Sequence, residues 1–210
     1  QGYAHGLVLC TKGAHAPGAQ LTKYAMNEGI DCIGNHKRGD SCYKDIYGQL
    51  WTAKVKDTYP GEMLEQYPAF DWTLTDFVPS APAKTSGWFV PSIGQLWDLM
   101  ANLGGKEIAE HLVALRDYAY DVTYMDFAKL SYNPMDAINS HFSKVPADQK
   151  EDLVYSRERS GKGVCQLLSS TLYDNTDGAC CIFWLGENLE FGLYTEWVNA
   201  DFVCHPVLAF

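Results

Sequence analysis

The chain has 210 residues, 47% of them hydrophobic and 20% charged, which is enough to bury a core and sits near the upper end of single-domain size. Acidic side chains outnumber basic ones 26 to 16, for a formal charge of −10, and no Lys/Arg stripe is placed to neutralise successive phosphates. Nucleic acid and anionic membrane are therefore poor partners, and no apolar run reaches the roughly 18 residues that direct membrane insertion needs.

The first strand signal is Leu7-Val8-Leu9-Cys10, bounded by Gly6 and by the Gly13 to Gly18 turn cluster. Residues 19–84 mix Gly, Pro, Asp and aromatics without sustained periodicity, so locally packed loops are expected there, with a short strand over 49–53. Helical order begins at Ser92, which can cap a helix while Gln95 reaches back; Ile93, Leu96, Leu99 and Leu103 form its inward stripe, and Gly104-Gly105 ends it. Ile108, Leu112, Leu115 and Ala119 repeat at helical spacing in a second helix, with Glu107 and Glu110 near its positive end. Asn133-Pro134 starts a third, where Asn caps and Pro suits the first turn; Met135, Ile138, Phe142 and Val145 face inward before Pro146. After Gly163 the period falls to about two, and strands are expected over 165–171, 179–185, 189–194 and 202–210, with Gly186-Glu187-Asn188 as a hairpin loop. One strand, irregular chain, helices and then an antiparallel strand series make an α+β domain with helices beside the sheet.

Seven cysteines (Cys10, Cys32, Cys42, Cys165, Cys180, Cys181, Cys204) include no CxxC pair, so a zinc site is not expected. Cys32 and Cys42 enclose a short polar loop and are the first disulfide candidates; Cys10 and Cys204 are the second, against the alternative of buried free thiols. His5, His15, His36, His111 and His141 show no metal-ligand spacing. Calcium is the one ion the loop chemistry admits, at Asp174-Asn175-Thr176-Asp177-Gly178, but the distal bidentate Glu is missing and a hairpin turn demands the same residues, so no cofactor is expected.

Sugars present apolar C–H patches ringed by hydroxyls, so glycan recognition wants flat aromatic faces beside amides and carboxylates. Trp184, Glu187, Asn188, Glu190, Trp197, Asn199 and Asp201, around the last hairpin, meet that demand; the alternative puts both tryptophans in the core. Arg38-Gly39-Asp40, followed by Ser41, is an integrin-type tripeptide between Cys32 and Cys42 and a candidate adhesion motif, although so short a motif also arises by chance. For catalysis, Cys204 and His205 are neighbours on an expected strand and so point to opposite faces, which disfavours a thiolate–imidazole pair.

Three stretches together resemble a known family: His5-Gly6-Leu7-Val8-Leu9, then Gly87-Trp88-Phe89-Val90-Pro91-Ser92-Ile93-Gly94-Gln95-Leu96, and Ser169-Ser170-Thr171 with Val203-Cys204-His205-Pro206-Val207-Leu208-Ala209-Phe210. They resemble the C-terminal lectin-like domain of Bacteroides-type surface lipoproteins and fimbrillin-like proteins, which is similar to the domain closing the Legionella collagen-like adhesin. The resemblance implies a single C-type-lectin-like domain over 1–210, with first and last strands paired, a helical insertion at about 106–160, and a loop-rich face for ligands. It also implies an extracytoplasmic home, at the cell surface or outer membrane of a Gram-negative bacterium. The calcium triplets of sugar-binding C-type lectins are absent; Trp197-Val198-Asn199-Ala200-Asp201 only faintly matches their second element, so calcium-dependent sugar binding is not carried over. A related fold houses the formylglycine-generating enzyme, whose two cysteines would find counterparts in Cys180-Cys181, a remote alternative because neighbouring strand positions diverge. The expectation is thus a noncatalytic surface binding or adhesion module that meets a glycan or a surface protein; the rival from another class is a purely structural terminal domain of a surface lipoprotein or fimbrial component.

Overall fold

The computed structural model describes residues 6–15, 19–23, 30, 32–33, 42–77, 80–117, 126–151, 164–173, 178–185, 190–200 and 202–210. Strands β1 (Leu7–Leu9) and β2 (Ala14–His15) open the chain, followed by helices α1 (Gly48–Thr58) and α2 (Pro68–Asp71), the latter running into a π-helical turn at Trp72–Asp76. Helices α3 (Ile93–Leu103) and α4 (Lys106–Asp117), strand β3 (Asp126–Lys129) and helix α5 (Pro134–His141) come next. Strands β4 (Val164–Leu172), β5 (Gly178–Leu185), β6 (Glu190–Trp197), β7 (Val203–Cys204) and β8 (Val207–Ala209) complete it. No helix among the described residues is long and apolar enough to cross a membrane.

The two chain ends meet as expected: β1 pairs antiparallel with β8, Leu7 opposite Ala209 and Leu9 opposite Val207. A second sheet runs β2-β7-β4-β5-β6-β3, antiparallel throughout except for one parallel contact of Leu167 in β4 with Val203 in β7. The run 202–210, expected as one strand, is two strands in two sheets. Pro206 has no N–H to continue a ladder, and its carbonyl instead accepts from Cys10 N–H at 2.9 Å. The period of two along β4 divides its side chains between two cores. Leu167 joins Ile93, Trp97, Met100, Ile108, Leu112, Met135 and Ile138 on the side of α3–α5. Leu168 and Leu172 join Leu21, Val55, Phe70 and Phe202 on the other.

Helices α3 and α5 start where their caps predict. Gln95 Oε1 accepts from Ser92 N–H at 2.9 Å, while the Ser92 hydroxyl donates to Asp45 O at 2.7 Å; Asn133 Oδ1 accepts from Met135 N–H at 3.0 Å. In α4, Ile108 and Leu112 are fully buried. Glu107, in its first turn, accepts from the N–H and hydroxyl of Ser131, which holds its carboxyl below the usual carboxylate range.

Two expectations are corrected. Among the described residues of 19–84, the stretch 42–76 is mainly helical rather than loop, and 49–53 is not a strand but lies within α1. That helix buries Gly48, Thr52 and Val55, a face too small and polar to register as an apolar stripe. Thr52 Oγ1 is spent on Val90 N–H at 3.1 Å, so the helix is held by a polar contact as much as by burial. Within the expected helical insertion, β3 adds a strand at the edge of the sheet, pairing antiparallel with β6. Four residues are too short a run to reveal a period in sequence.

The motif stretches of the amino-acid sequence converge on one buried joint. Phe89 bridges to Val207, Ser170 N–H donates to Pro91 O at 2.8 Å, and Ile93 N–H, at the start of α3, donates to Thr171 Oγ1 at 2.9 Å. The Thr171 hydroxyl in turn donates to Asp45 Oδ2 at 2.7 Å, and the Asp45 carboxylate also accepts from Tyr47 N–H at 2.9 Å and from the Trp51 indole at 3.0 and 3.1 Å. Asp45 is 1% exposed, so this is an interior knot tying α1, α3 and β4 together.

Candidate functional site

Of the residues first proposed for glycan contact, those described on β5 and β6 stand at the two ends of one ladder. In the β5–β6 ladder Leu185 faces Glu190 and Trp184 faces Phe191 at one end, whereas Gly178 faces Trp197 at the other. Strand β6 has eight residues, so Glu190 and Trp197 stand about 23 Å apart at roughly 3.3 Å per step. The reason is simple: strand ends separated by a full ladder are close in sequence and remote in space. Glu187, Asn188 and Asp201 lie outside the described residues, as do Arg38, Gly39 and Asp40 and the Asp174–Asp177 loop. Trp197 is 45% exposed, which answers the alternative that would bury it, and Asn199 beside it is half-buried with its carbonyl accepting from Gln20 Nε2 at 2.8 Å. Among the described residues no three His, Cys, Asp or Glu side chains converge as a metal site would require.

A different site emerges beside the chain-end junction: an open cleft of about 700 Å³, within the range of small-ligand sites. One wall is the strand exit Leu9-Cys10-Thr11-Lys12-Gly13. A second is aromatic. The π turn is closed by Phe77 N–H donating to Trp72 O at 2.8 Å, a five-residue reach that sets Trp72, Asp76 and Phe77 beside the cleft. Such turns recur at functional sites. The Trp72 and Phe77 rings lie 5.0 Å apart, and Phe77 meets Trp88 edge-on at 5.1 Å. Val145, Gln149 and Glu151 complete the lining.

The floor is braced by polar bonds. Thr11 Oγ1 donates to Gln149 O at 2.7 Å, Glu151 N–H donates to Thr11 O at 2.9 Å, and the Glu151 carboxylate accepts from Gly13 N–H. Beneath it, His205 Nδ1 lies 2.9 Å from Cys10 O, and because a carbonyl only accepts, that nitrogen carries the proton. His205 Nε2 faces Glu151 Oε1 at 3.8 Å. Gly13 is needed here: a Cβ would stand 2.7 Å from Cys204 O and 2.8 Å from the His205 ring.

Cys10 and Cys204 are buried free thiols, so the second expected disulfide does not form. Their backbones serve different pairings, Cys10 with Pro206 and Cys204 with Ala14. The Cys42 side chain, and with it the first candidate bridge to Cys32, lies outside the described residues. Burial pushes the Cys204 thiol up from 9.0 to about 12, and burial also raises Cys10, so both are protonated at neutral pH. A native-state thiol titration at pH 8 is accordingly expected to leave Cys204 unlabelled until denaturant is added; immediate native labelling would contradict its burial. The protonated thiol favours the folded state fully below about pH 9, and this contribution is lost as pH rises through about 12.

Sequence reasoning missed Trp72, Asp76 and Phe77, which fell in the stretch read as loop. The available signal was the density of aromatics and acids in Phe70-Asp71-Trp72-Thr73-Leu74-Thr75-Asp76-Phe77.

The fold is similar to part of a fimbrial protein from Bacteroides ovatus, with a TM-score of 0.53 and 14% identity over 99% of this chain and 36% of that one. This chain therefore spans about a third of its structural neighbour's length, and at that identity the likeness concerns fold alone. No protein-family model and no curated protein matches the sequence.

Proposed function

We propose that this chain is a noncatalytic, extracytoplasmic binding module of a fimbrial-type surface protein, built on the C-type-lectin-like plan, and that its recognition surface is the Trp72–Phe77–Trp88 cleft. The cleft carries the reading: partly exposed aromatics beside unmasked polar groups, on a floor fixed by hydrogen bonds, are what a preformed ligand site requires. A noncatalytic role is supported by the protonated thiols and by the separate engagements of Cys204, in the apolar core, and His205, at Cys10 O. The fold likeness to a fimbrial protein supports a surface location. Partners of this class are glycans or surface proteins, and the net charge of −10 disfavours nucleic acid.

Beads coated with the domain are expected to be retained on at least one of three surfaces: mucin, fibronectin or a layer of bacterial cells. Trp88→Ala and Asp76→Asn each lower retention at least about tenfold, a loss near 1.4 kcal/mol, while Trp197→Ala leaves it within about twofold. Retention on none of the three, or retention indifferent to both cleft substitutions, overturns the cleft reading. Asp40→Glu in the same assay on integrin-bearing cells tests the separate adhesion proposal for Arg38-Gly39-Asp40.

A second reading is structural: the domain positions or terminates a longer surface protein and holds no ligand. Its support is that chain ends lie together on one two-stranded sheet, and that the matching fold occupies 36% of a longer fimbrial chain.

A further inference from the structure

Resting on the reading of the cleft as a binding site, we infer that its ligand class is a short neutral oligosaccharide. The cleft sets three kinds of group side by side. Trp72, Phe77 and Trp88 are half-buried and line it with ring surface, which attracts the C–H faces of a sugar. Asp76 is an exposed carboxylate and accepts only; Lys12 is an exposed ammonium and donates only; Gln149 carries an amide that does both. Neither Asp76 nor Lys12 is held in an ion pair among the described residues, so each is free to meet a ligand hydroxyl.

That mixture separates ligand classes. An acyl chain would want a continuous apolar lining, which Asp76, Lys12 and Glu151 interrupt. A simple cation would suit the aromatic corner and the carboxylates, but Lys12 opposes it at the same cleft. An acidic saccharide would meet two carboxylates, Asp76 and Glu151, against one ammonium. A neutral polyol is repelled by neither sign and uses donors and acceptors together, since each hydroxyl both gives and takes a hydrogen bond. Glu151 has a supporting part: its carboxylate is tied to Gly13 N–H, so it stiffens the floor and leaves Asp76 as the rim acceptor. The angled rings further favour a chain with a bend over a flat polymer, because Phe77 stands edge-on to Trp88 at 81° and offers no single extended platform.

The test is titration of the 210-residue chain with neutral trisaccharides (maltotriose, cellotriose, laminaritriose, mannotriose and tri-N-acetylchitotriose), beside a trigalacturonate and a chitosan trimer, followed by tryptophan fluorescence and calorimetry. At least one neutral trisaccharide is expected to saturate the protein, bent chains such as maltotriose or laminaritriose ahead of cellotriose. Asp76→Asn and Trp88→Ala should each weaken it tenfold or more, and Trp197→Ala should leave it unchanged. Asp76 is exposed and makes no ion pair among the described residues, so its substitution reads binding with little disturbance of the fold. Saturation by none of the neutral sugars, by the charged trimers alone, or with equal strength in Asp76→Asn overturns the inference. If bead retention still depends on Trp88 and Asp76 while no sugar binds, the saccharide class fails and the cleft stands; if retention ignores both residues, the cleft reading itself fails.

Discussion

Replacing Asp45 with alanine is expected to cost about 4 kcal/mol of folding stability, which for a domain of this size is a fall of about 10 °C in Tm. The carboxylate is 1% exposed and takes hydrogen bonds from the Tyr47 amide, the Trp51 indole and the Thr171 hydroxyl. Alanine leaves the buried Thr171 hydroxyl and the part-buried Tyr47 amide and Trp51 indole without their acceptor, and stranded donors are what make such losses large. The damage spreads, because Thr171 also receives Ile93 N–H at the first turn of α3, so a hydroxyl that loses its acceptor is free to turn away from the helix start. Asp45→Asn keeps one acceptor oxygen and should cost about half as much. Thermal unfolding by circular dichroism measures both, and an Asp45→Ala protein melting within about 2 °C of the parent would show that the knot is not what joins α1, α3 and β4.

Gly94→Ala should be nearly as severe, about 3 kcal/mol, although alanine is the better helix former by about 1 kcal/mol. Gly94 lies in the first turn of α3, and its N–H donates to Asp45 O at 2.9 Å. A Cβ there would stand 2.5 Å from Tyr43 O and equally close to Asp45 O, both backbone atoms with no rotamer to escape into. The segment bearing Asp45 must then lift from the helix, which breaks the same joint from the opposite side. Urea denaturation should show a lower midpoint with an unchanged slope. A Gly94→Ala chain as stable as the parent would mean that the Tyr43–Asp45 segment can shift without loss, contrary to its tight seat. Because both substitutions act on one contact, their effects in combination should fall short of the sum.

These positions also explain which parts of the fold were legible in the sequence. Helices α3 and α5 announce themselves because Ser92 with Gln95, and Asn133 with Pro134, are local capping chemistry that needs no knowledge of the rest of the chain. Pairing of the chain ends followed from a resemblance carried by the outer motifs, and the register Leu7 to Ala209 agrees with it. Helix α1 was hidden because its inward face is Gly48, Thr52 and Val55, chosen for close approach and a hydrogen bond rather than for bulk. Gly48 shows the constraint: a Cβ there would lie 2.6 Å from Val90 O and Ser92 N. Pro206 marked the split between β7 and β8, yet a two-residue strand has too little pattern to be separated from its neighbour.

The candidate site was less legible still. Its lining comes from residues 9–13, 72–77, 88 and 145–151, segments that only the tertiary fold brings together. The earlier grouping of Trp184, Glu190 and Trp197 relied on closeness in sequence, which an antiparallel ladder turns into distance. Trp88 was visible within the Gly87-Trp88-Phe89-Val90-Pro91 motif, but only as part of a resemblance. The same motif serves two ends: Phe89 to Gln95 build the buried joint, while Trp88 reaches the cleft.

The chain has six tryptophans, whose indole N–H groups give separate nitrogen-resolved proton signals, and these report most directly on where a ligand sits. With solubilised fragments of the surface that retains the beads added stepwise, the Trp72 and Trp88 indole resonances should move together and saturably, with those of Trp97, buried in the core, and Trp197, outside the cleft lining, unmoved. Shifts confined to Trp197, or binding that moves neither Trp72 nor Trp88, would contradict recognition through the cleft.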